Sequence, residues 1–332
     1  MTPIAISLGD PAGIGPELIA AAWALSGTEA LPPFVAVGSR HVLEQAARAR
    51  GLNIAVRSVG SLEEARDSFG QALPVLDLGD VAYAPGAPDD AGAALALAAL
   101  DAATQLTIAG ETSALVTAPI AKSRLARVGF AHPGQTEFVA QACDVAAEGA
   151  VMMLAGPSLR VVPVTVHVAL SAVPGLLSAE LIGRRSAIAA QALMRDFGLA
   201  DPRIAVAGLN PHAGEDGRMG HEDRAMIAPA VAALQAAGFD ARGPLPADTM
   251  FHAEARATYD LAVCMYHDQA LIPLKALDFD AGVNVTLGLP IIRTSPDHGT
   301  AFAIAGTGEA RPGAMIAAIR MAGECAARRA AA

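Results

Sequence analysis

The stretch RVVPVTVH at residues 160–167 is a short run of β-branched and apolar residues that ends in a histidine. Two later stretches follow the same plan, RIAVAGLNPH at 203–212 and DLAVCMYH at 260–267. Runs of this kind, bounded by turn-forming residues, are typical of buried strands. Longer Ala- and Leu-rich stretches of helical character separate them. This alternation predicts an α/β fold with largely parallel strands.

Applied to the whole chain, the same criteria predict eight strands and seven helices. The predicted strands are 4–8, 34–37, 114–117, 151–154, 161–166, 204–207, 261–265 and 283–287. The predicted helices are 16–25, 40–50, 91–108, 179–197, 223–237, 249–257 and 313–330. No linker composition marks a clean boundary, which favours two lobes between which the chain crosses more than once.

The composition excludes several classes of protein. Of 332 residues, 53% are apolar and 17% charged, which excludes wholesale disorder. Lys+Arg 23 against Asp+Glu 33 gives a net charge of −10 without a basic run, which argues against nucleic acid as the main partner. The richest apolar stretch, 91–100, is shorter than the roughly 20 residues of a spanning helix. The absence of a basic leader and three widely spaced cysteines predict a cytoplasmic protein with reduced thiols.

The three strand-end histidines are His167, His212 and His267. The carboxyl ends of parallel strands share one edge of a sheet, and ligand sites of α/β proteins form there. We therefore expect the three imidazoles to bind one metal ion, with structural hydrogen bonding of each ring as the alternative. Imidazole ligands favour Zn, Co, Ni or Fe over Ca, and three protein ligands would leave positions open for a substrate.

Two further segments combine glycine with polar residues. Near the N-terminus, GDPAGIGPE at 9–17 predicts a tight strand-to-helix turn, but its spacing is neither G-x-G-x-x-G nor a P-loop. The strip 282–308 contains Asn284 and Arg293, and Arg293 is suited to bind a carboxylate or a phosphate. Only Lys122 and Lys275 among the 23 cationic residues are lysine, so either can mark a position that requires an ammonium group.

Asp248 precedes the predicted helix 249–257. A carboxylate in that position is suited to cap the helix, which is the interpretation we favour. The alternatives are a proton acceptor or a hydrogen-bond partner of a metal-bound histidine.

Six ordered motifs spread over nearly the whole chain resemble the 4-hydroxythreonine-4-phosphate dehydrogenase family of vitamin B6 synthesis. They are GDPAGIGPE at 9–17, TAPIAK at 117–122, GQTEF at 134–138, LNPHAGE at 209–215, YHDQ at 266–269 and GVNVTLGLP at 282–290.

The resemblance implies an isocitrate/isopropylmalate dehydrogenase-like fold with two α/β/α lobes and a cleft between them. The first lobe would comprise 1–133 and 285–332, and the second 134–284. The resemblance further implies NAD or NADP as cofactor, a divalent metal (Zn, Co or Mg), and a homodimer with its active site at the subunit interface. The reaction would be oxidation and decarboxylation of 4-phosphooxy-L-threonine to 3-amino-2-oxopropyl phosphate.

Site residues are implied by the same resemblance. His167, His212 and His267 match the metal ligands, one of them reaching across from the partner subunit. The positions that match substrate-binding residues are Gln135, Thr136, Lys275, Asn284 and Arg293. The turn Asp297, His298, Gly299, Thr300 and Ala301 is similar to the loop that holds the adenosine of NAD in the wider superfamily. Independently of the resemblance, Lys275 is our leading candidate for proton transfer or carboxylate binding, and Asp248 is a second candidate for proton transfer.

Gln135 stands where the family phrase usually has histidine. Glutamine forms hydrogen bonds but carries no charge near neutral pH, whereas imidazole can. The alternative substrates are therefore related phosphorylated hydroxy acids such as 4-phosphothreonate or 4-phosphoerythronate. Two more distant alternatives are a ligand-binding protein without turnover and a zinc-dependent aldolase that needs no nicotinamide.

Overall fold

The computed structural model describes residues 2–331. The chain divides into two compact units. Unit 1 contains the chain up to Ala147 together with Leu289–Ala327, and unit 2 contains Glu148–Gly288 and the chain from Arg328. The lobe boundaries expected from the sequence, after residues 133 and 284, lie earlier in the chain than these.

Residues 2–331 form twelve strands. They are β1 Ile4–Ser7, β2 Phe34–Gly38, β3 Val56–Ser58, β4 Leu73–Asp77, β5 Leu115–Thr117, β6 Val151–Ala155, β7 Arg160–Thr165, β8 Ile204–Ala207, β9 Ala241–Leu245, β10 Leu261–Tyr266, β11 Val283–Leu287 and β12 Arg293–Pro296. All eight predicted strands are present within a residue or two of their expected bounds.

The same residues form twelve α-helices. They are α1 Gly15–Ala24, α2 Arg40–Ala49, α3 Leu62–Ser68, α4 Asp90–Ile108, α5 Lys122–Leu125, α6 Gln135–Ala142, α7 Val173–Leu176, α8 Ala179–Phe197, α9 Ala228–Ala236, α10 Ala253–Arg256, α11 His267–Asp278 and α12 Gly313–Ala331. The helix predicted over 223–237 begins instead with a π-helical turn, Asp223–Ile227, that leads into α9.

In unit 1 the strands run in the order β3-β4-β2-β1-β5-β12, and each pairs with its neighbours in parallel. The strands β1, β2, β5 and β12 are buried along their whole length. Because β1, β5 and β12 are adjacent and parallel, the loops after them emerge at one edge of the sheet. That edge receives the glycine-rich turn, the start of the segment 117–122 and the predicted NAD loop.

In unit 2 the order is β11-β6-β7-β10-β8-β9. The strands β7, β10, β8 and β9 pair in parallel, whereas β6 pairs antiparallel with β7 and β11. A tight turn after β6, in which Gly156 N donates to Leu159 O at 2.9 Å, makes β6 and β7 a hairpin. The prediction of largely parallel strands therefore holds, with this hairpin and β11 as the exceptions.

Helix α4 is long and apolar enough to cross a membrane, with a mean hydropathy of 1.4. Half of that stretch is buried inside the structure, where α4 packs against β1 and β2. Core helices of water-soluble proteins have the same composition, so this helix by itself is weak evidence for a membrane span.

The helix predicted over 249–257 is wrong in extent. Residues 247–249 form a 3-10 turn, and the α-helix is the short α10, Ala253–Arg256. His252 is its N-cap residue, and its Nδ1 accepts a hydrogen bond from Ala255 N at 3.4 Å. The expectation that Asp248 caps this helix is therefore wrong, because the helix begins too late for the Asp248 side chain to reach its first turn.

Candidate active site

The three histidine-bearing strands are neighbours in unit 2. Strand β10 lies between β7 and β8 and pairs with both in parallel. His267 follows β10 directly, His167 lies two residues after β7, and His212 lies five residues after β8. The expectation that these histidines emerge at one edge of the sheet is confirmed at the level of the backbone.

His167 and His267 lie side by side. Their ring centroids are 5.7 Å apart with the planes inclined by 40°. Both line a cavity of about 210 Å³ whose other walls are residues of the same two segments. His267 Nδ1 lies 2.7 Å from Asp268 Oδ1, a contact that orients the ring and leaves its Nε2 for another partner.

His212 is carried by a loop of unusual conformation. Residues 212–216 all have positive φ, including the four non-glycine residues His212, Ala213, Glu215 and Asp216. The left-handed region costs an L-residue roughly 1–2 kcal/mol, so the surroundings must hold the loop. Asp223, only 2% exposed, accepts hydrogen bonds from Leu209 N at 2.8 Å and from Asn210 N at 3.2 Å.

The donors fit a metal site in part. Within residues 2–331 of one chain, no group of three or more His, Cys, Asp or Glu side chains is arranged to hold a metal ion. The chain brings His167 and His267 together and does not bring His212 into the same group. Two adjacent imidazoles are nitrogen donors of the kind that Zn or Co takes, so one chain brings together two of the three expected histidine ligands.

A second polar cluster lies in unit 1, around Arg293 at the start of β12. Arg293 is 3% exposed, and its Nη2 donates to Thr117 Oγ1 at 2.6 Å at the end of β5. Its Nη1 donates to Thr136 Oγ1 at 3.4 Å in the first turn of α6. Burial lowers the pKa of Arg293 to about 10, with Glu137 opposing the shift, so the guanidinium stays charged at neutral pH.

Helix α6 was not predicted, although it carries two of the expected substrate residues, Gln135 and Thr136. It begins after Gly134 without a side-chain cap, and Glu137 in its first turn is the one helix-start feature that its sequence offers. Gln135 Nε2 donates to Ala118 O at 3.2 Å, and its buried Oε1 has no hydrogen-bond partner among residues 2–331. That oxygen is therefore able to accept a hydrogen bond from a ligand.

The glycine-rich turn packs against the predicted NAD loop within unit 1. Ile14 N donates to Thr300 O at 3.0 Å, and a Cβ on Gly13 would lie 3.0 Å from the same oxygen. Ala301 is left-handed, with φ 46° and ψ 49°. Gly13 therefore approaches Thr300 closely, and the two segments form one surface.

Asp10 is a candidate functional residue that the sequence motifs did not single out. The side chain is 1% exposed, and Oδ1 accepts from Ala12 N at 3.0 Å. No residue described in the structure hydrogen-bonds to the buried Oδ2. Burial raises the pKa of this carboxyl, Asp89 raises it further, and Arg124 opposes the shift. The motif at 9–17 indicates a functional role for Asp10 only indirectly, since an acidic residue at this position also suits a turn.

The remaining predicted residues lie in unit 2 at some distance along the chain from the imidazole pair. Lys275 is an exposed residue two turns after His267 on α11. Asn284 lies on β11, and its buried Oδ1 lacks a hydrogen-bond partner within residues 2–331. Asp248 is exposed in its 3-10 turn. The predicted substrate residues are thus divided between the two units.

The family model for the pyridoxal phosphate biosynthetic protein PdxA matches residues 29–322. The chain belongs to this family. The 4-hydroxythreonine-4-phosphate dehydrogenase of Erythrobacter litoralis is 60% identical over 328 residues, which cover 99% of this chain and 98% of that protein. The enzyme of the same name from Methylorubrum populi is 55% identical over 334 residues, covering 98% and 95%.

Two solved structures are similar to this chain over nearly its whole length. The 4-hydroxythreonine-4-phosphate dehydrogenase of Klebsiella pneumoniae has a TM-score of 0.86 at 39% identity, covering 98% of both chains. A terephthalate 1,2-cis-dihydrodiol dehydrogenase from Burkholderia xenovorans has a TM-score of 0.66 at 30% identity and covers 97% of both chains. The predicted α/β fold class and the family resemblance are both confirmed.

Proposed function

We propose that the chain is an NAD(P)-dependent dehydrogenase that oxidises and decarboxylates 4-phosphooxy-L-threonine to 3-amino-2-oxopropyl phosphate in vitamin B6 synthesis. The observation that carries the proposal is similarity over nearly the full length, at 50–60% identity, to enzymes named 4-hydroxythreonine-4-phosphate dehydrogenase. The buried, charged Arg293 beside Thr117 and Thr136 supports it, because a phosphorylated amino acid needs a cationic anchor.

The proposed reaction has two bond-breaking steps at carbon. The C–H bond at the secondary alcohol breaks, its hydride passes to the nicotinamide, and the hydroxyl proton leaves to a base. The ketone that forms lies β to the carboxylate, so the bond to CO2 can break with its electron pair moving toward the ketone oxygen. Protonation of the resulting enolate at carbon gives the amino ketone. Lys275 and Asp248 are our candidates for these proton transfers.

His167 and His267 would hold a divalent metal, Zn, Co or Mg. Such an ion, when bound, would stabilise negative charge on the oxygen that is oxidised. The role of the chain is to place two imidazoles side by side and to orient one of them through Asp268. His212 is the third proposed ligand. Since one chain does not gather all three, we propose that the site is completed by a second copy, with one histidine coming from the partner subunit.

Our proposed substrate-binding residues are Gln135, Thr136 and Arg293 of unit 1 and Lys275 and Asn284 of unit 2. The unpartnered oxygens of Gln135 and Asn284 support this, because buried polar atoms are costly unless a ligand or water pairs with them. Gln135 also keeps 4-phosphothreonate and 4-phosphoerythronate as alternative substrates, since it offers no positive charge.

The turn Asp297, His298, Gly299, Thr300 and Ala301 would bind the adenosine end of NAD or NADP. Its support is the packing of Thr300 on the glycine-rich turn, which fixes the position of the turn, and the open space at Gly299, where a Cβ would meet no atom within 4 Å.

A homodimer is supported by exposed apolar side chains near the imidazole pair in unit 2. Three of them, Val168, Leu170 and Leu176, lie on the segment after β7. Ile272 and Leu277 lie on α11, and Phe279 follows that helix directly. Val168 and Leu170 line the same cavity as His167 and His267. Apolar surface of this extent is typical of interfaces, and a second copy would bury it beside the proposed metal site. The proposed location is the cytoplasm.

The test is a spectrophotometric assay of NAD(P)H formation with a panel of phosphorylated hydroxy acids, both nicotinamides, and added or chelated divalent ions. CO2 release measured in parallel separates decarboxylating from non-decarboxylating oxidation. Absence of reduced nicotinamide with every substrate would contradict the proposal, and activity without nicotinamide would favour an aldolase.

A further inference from the structure

A chain of hydrogen bonds links the three histidine-bearing segments of unit 2. Thr165 Oγ1 donates to Met265 O at 2.8 Å. Met265 N donates to Gln269 Oε1 at 2.7 Å, and Gln269 Nε2 donates to Gly208 O at 2.7 Å. Three consecutive bonds therefore connect β7, β10 and the segment that follows β8.

Each link lies close to one of the histidines in sequence. Thr165 is two residues before His167, Met265 is two residues before His267, and Gly208 is four residues before His212. A shift of any one backbone segment relative to the others would stretch one of these bonds. The hydrogen-bonded chain therefore sets the relative positions of the segments that carry the three rings.

Gln269 continues the pairing between β10 and β8 beyond the point where the strands stop pairing. The ladder between them runs from Leu261↔Ile204 to Val263↔Val206, and β8 ends at Ala207. Gln269 is the third residue of α11 after the N-cap residue Tyr266. The side-chain oxygen of a glutamine at this position commonly accepts from a backbone N–H at the start of the helix, which leaves its side-chain nitrogen free to donate elsewhere.

Gly208 is held from the other side as well. A Cβ at this position would lie 2.7 Å from Asp223 Oδ1 and 2.9 Å from Ala213 Cα. The same carboxylate accepts hydrogen bonds from Leu209 N and Asn210 N. Because Gly208 packs directly on the left-handed loop, its position is transmitted to the backbone of His212.

We propose that Gln269 is a positioning residue that fixes the segments of His167, His267 and His212 relative to one another, so that the histidines that each chain supplies to its own site and to that of the second copy are held in place for metal binding. This inference rests on the proposed function, in which these histidines are metal ligands. Groups that orient metal ligands through a second layer of hydrogen bonds typically change metal affinity about 10- to 100-fold when they are removed.

The test measures Co²⁺ binding to the full-length protein by visible absorption and by competition with a chromophoric chelator. Gln269→Met keeps the length of the side chain and removes both hydrogen bonds. We expect the apparent Kd for Co²⁺ to rise about 10- to 100-fold. The turnover of the variant should fall at limiting metal and recover at saturating metal, which a general loss of stability would not produce.

Gln235→Met is the matched control. Gln235 Nε2 also donates to a backbone carbonyl of unit 2, Ala241 O at 2.8 Å, but the residue lies on α9 outside this hydrogen-bonded chain. The Gln235→Met variant should leave the Co²⁺ affinity unchanged. Thr165→Val removes the hydrogen bond to Met265 O with little change of volume, and like Gln269→Met it should weaken Co²⁺ binding. If Gln269→Met does not fold, Thr165→Val takes its place in the test.

Parental Co²⁺ affinity in Gln269→Met, or an equal loss in Gln235→Met, would overturn the inference. His267→Ala separates this failure from failure of the proposed function. If His267→Ala abolishes Co²⁺ binding and Gln269→Met does not affect it, only the positioning role is wrong. If His267→Ala binds Co²⁺ as the parent does, the proposed metal site itself is wrong and the inference falls with it.

Discussion

Arg293 Nη2 donates a hydrogen bond of 2.6 Å to Thr117 Oγ1, although 176 residues separate the two in sequence. The contact joins the start of β12 to the end of β5, two strands that pair in parallel. It fixes one nitrogen of a buried cation and directs the guanidinium toward Thr136 at the start of α6. Unit 1 thus presents a charge of fixed orientation.

We expect Arg293→Lys to raise the KM for the phosphorylated substrate about 10- to 100-fold, because a lysine ammonium cannot reproduce the two-sided contact and a charged hydrogen bond contributes about 1.5–3 kcal/mol. The KM for the nicotinamide should change little. Steady-state kinetics with each substrate varied in turn will measure this. Arg127→Lys is the control, since Arg127 is an exposed residue of the same unit paired with Asp90; an unchanged substrate KM in Arg293→Lys would exclude the anchoring role.

Removal of the metal should abolish activity. We expect dialysis against a chelator to reduce turnover to background and Zn²⁺ or Co²⁺ to restore it, because the imidazole pair favours these ions. His167→Ala should prevent the recovery. His252→Ala serves as the control, because His252 is a histidine of unit 2 that caps α10. Full activity after chelation would rule out the metal-assisted reaction.

Gly13→Ala should weaken nicotinamide binding. The new Cβ would lie 3.0 Å from Thr300 O and 3.1 Å from Thr300 Cβ, so the predicted NAD loop must move. Overpacking of this kind costs about 1–3 kcal/mol, from which we expect a rise of about tenfold in nicotinamide KM. Gly27→Ala is the control, since no atom lies within 4 Å of a Cβ there. Equal nicotinamide KM values in the two variants would argue against the proposal that the turn 297–301 binds NAD or NADP.

Asp10→Asn should stabilise the protein at neutral pH. Burial raises the pKa of this carboxyl, so the folded state binds the proton more tightly than the unfolded state. The stability gained from this proton is fully present below the unfolded pKa of about 3.9 and is lost as the pH rises through the folded pKa. We expect Asn to raise the free energy of unfolding by about 1 kcal/mol at pH 7, with the difference vanishing toward pH 3. Denaturant unfolding of the parent and the variant at pH 7 and pH 3 will measure this difference. A difference in unfolding free energy that grows as the pH falls would contradict the predicted pH dependence.

Asp196→Asn should destabilise unit 2. Burial alone would raise the pKa of Asp196, but hydrogen bonds from Arg329 and Arg195 overcome it and lower the pKa. The stabilisation is therefore present above the unfolded pKa of about 3.9 and is lost as the pH falls through the lower folded value. Arg195 and Arg329 are 46% and 20% exposed, so solvent screens the pairs and we expect the loss to be smaller than the roughly 3–5 kcal/mol of a fully buried ion pair. Thermal unfolding from pH 7 to pH 3 should show the parent approaching the variant; a constant difference would refute this account.

The strands that end in histidines could be predicted from sequence because β-branched runs such as 160–166 carry a local pattern. Strand β12 could not, since its sequence RTSP is polar and is buried by tertiary contacts alone. Helix α11 was missed because Pro273 interrupts its helical pattern. Helix α6 was missed because it starts without a capping side chain.

The sequence predicts which residue types the candidate site would combine, but it predicts only part of their geometry. The order of the strands determines that His167, His212 and His267 emerge at one edge. The ring positions depend on the segment after each strand, since His267 begins a helix whereas His212 begins a left-handed loop that follows Leu209 and Asn210, whose backbone N–H groups donate to Asp223. Such a backbone conformation depends on distant hydrogen bonds, so the local sequence does not reveal it.

The left-handed loop 212–216 also limits how the enzyme can be engineered. A selection for heat resistance alone would favour glycine at Ala213, because glycine adopts positive φ without a penalty. Such a replacement would widen the range of orientations open to the neighbouring imidazole. If the proposed metal site is correct, stabilised descendants of this chain would lose selectivity among ions before they lose their fold.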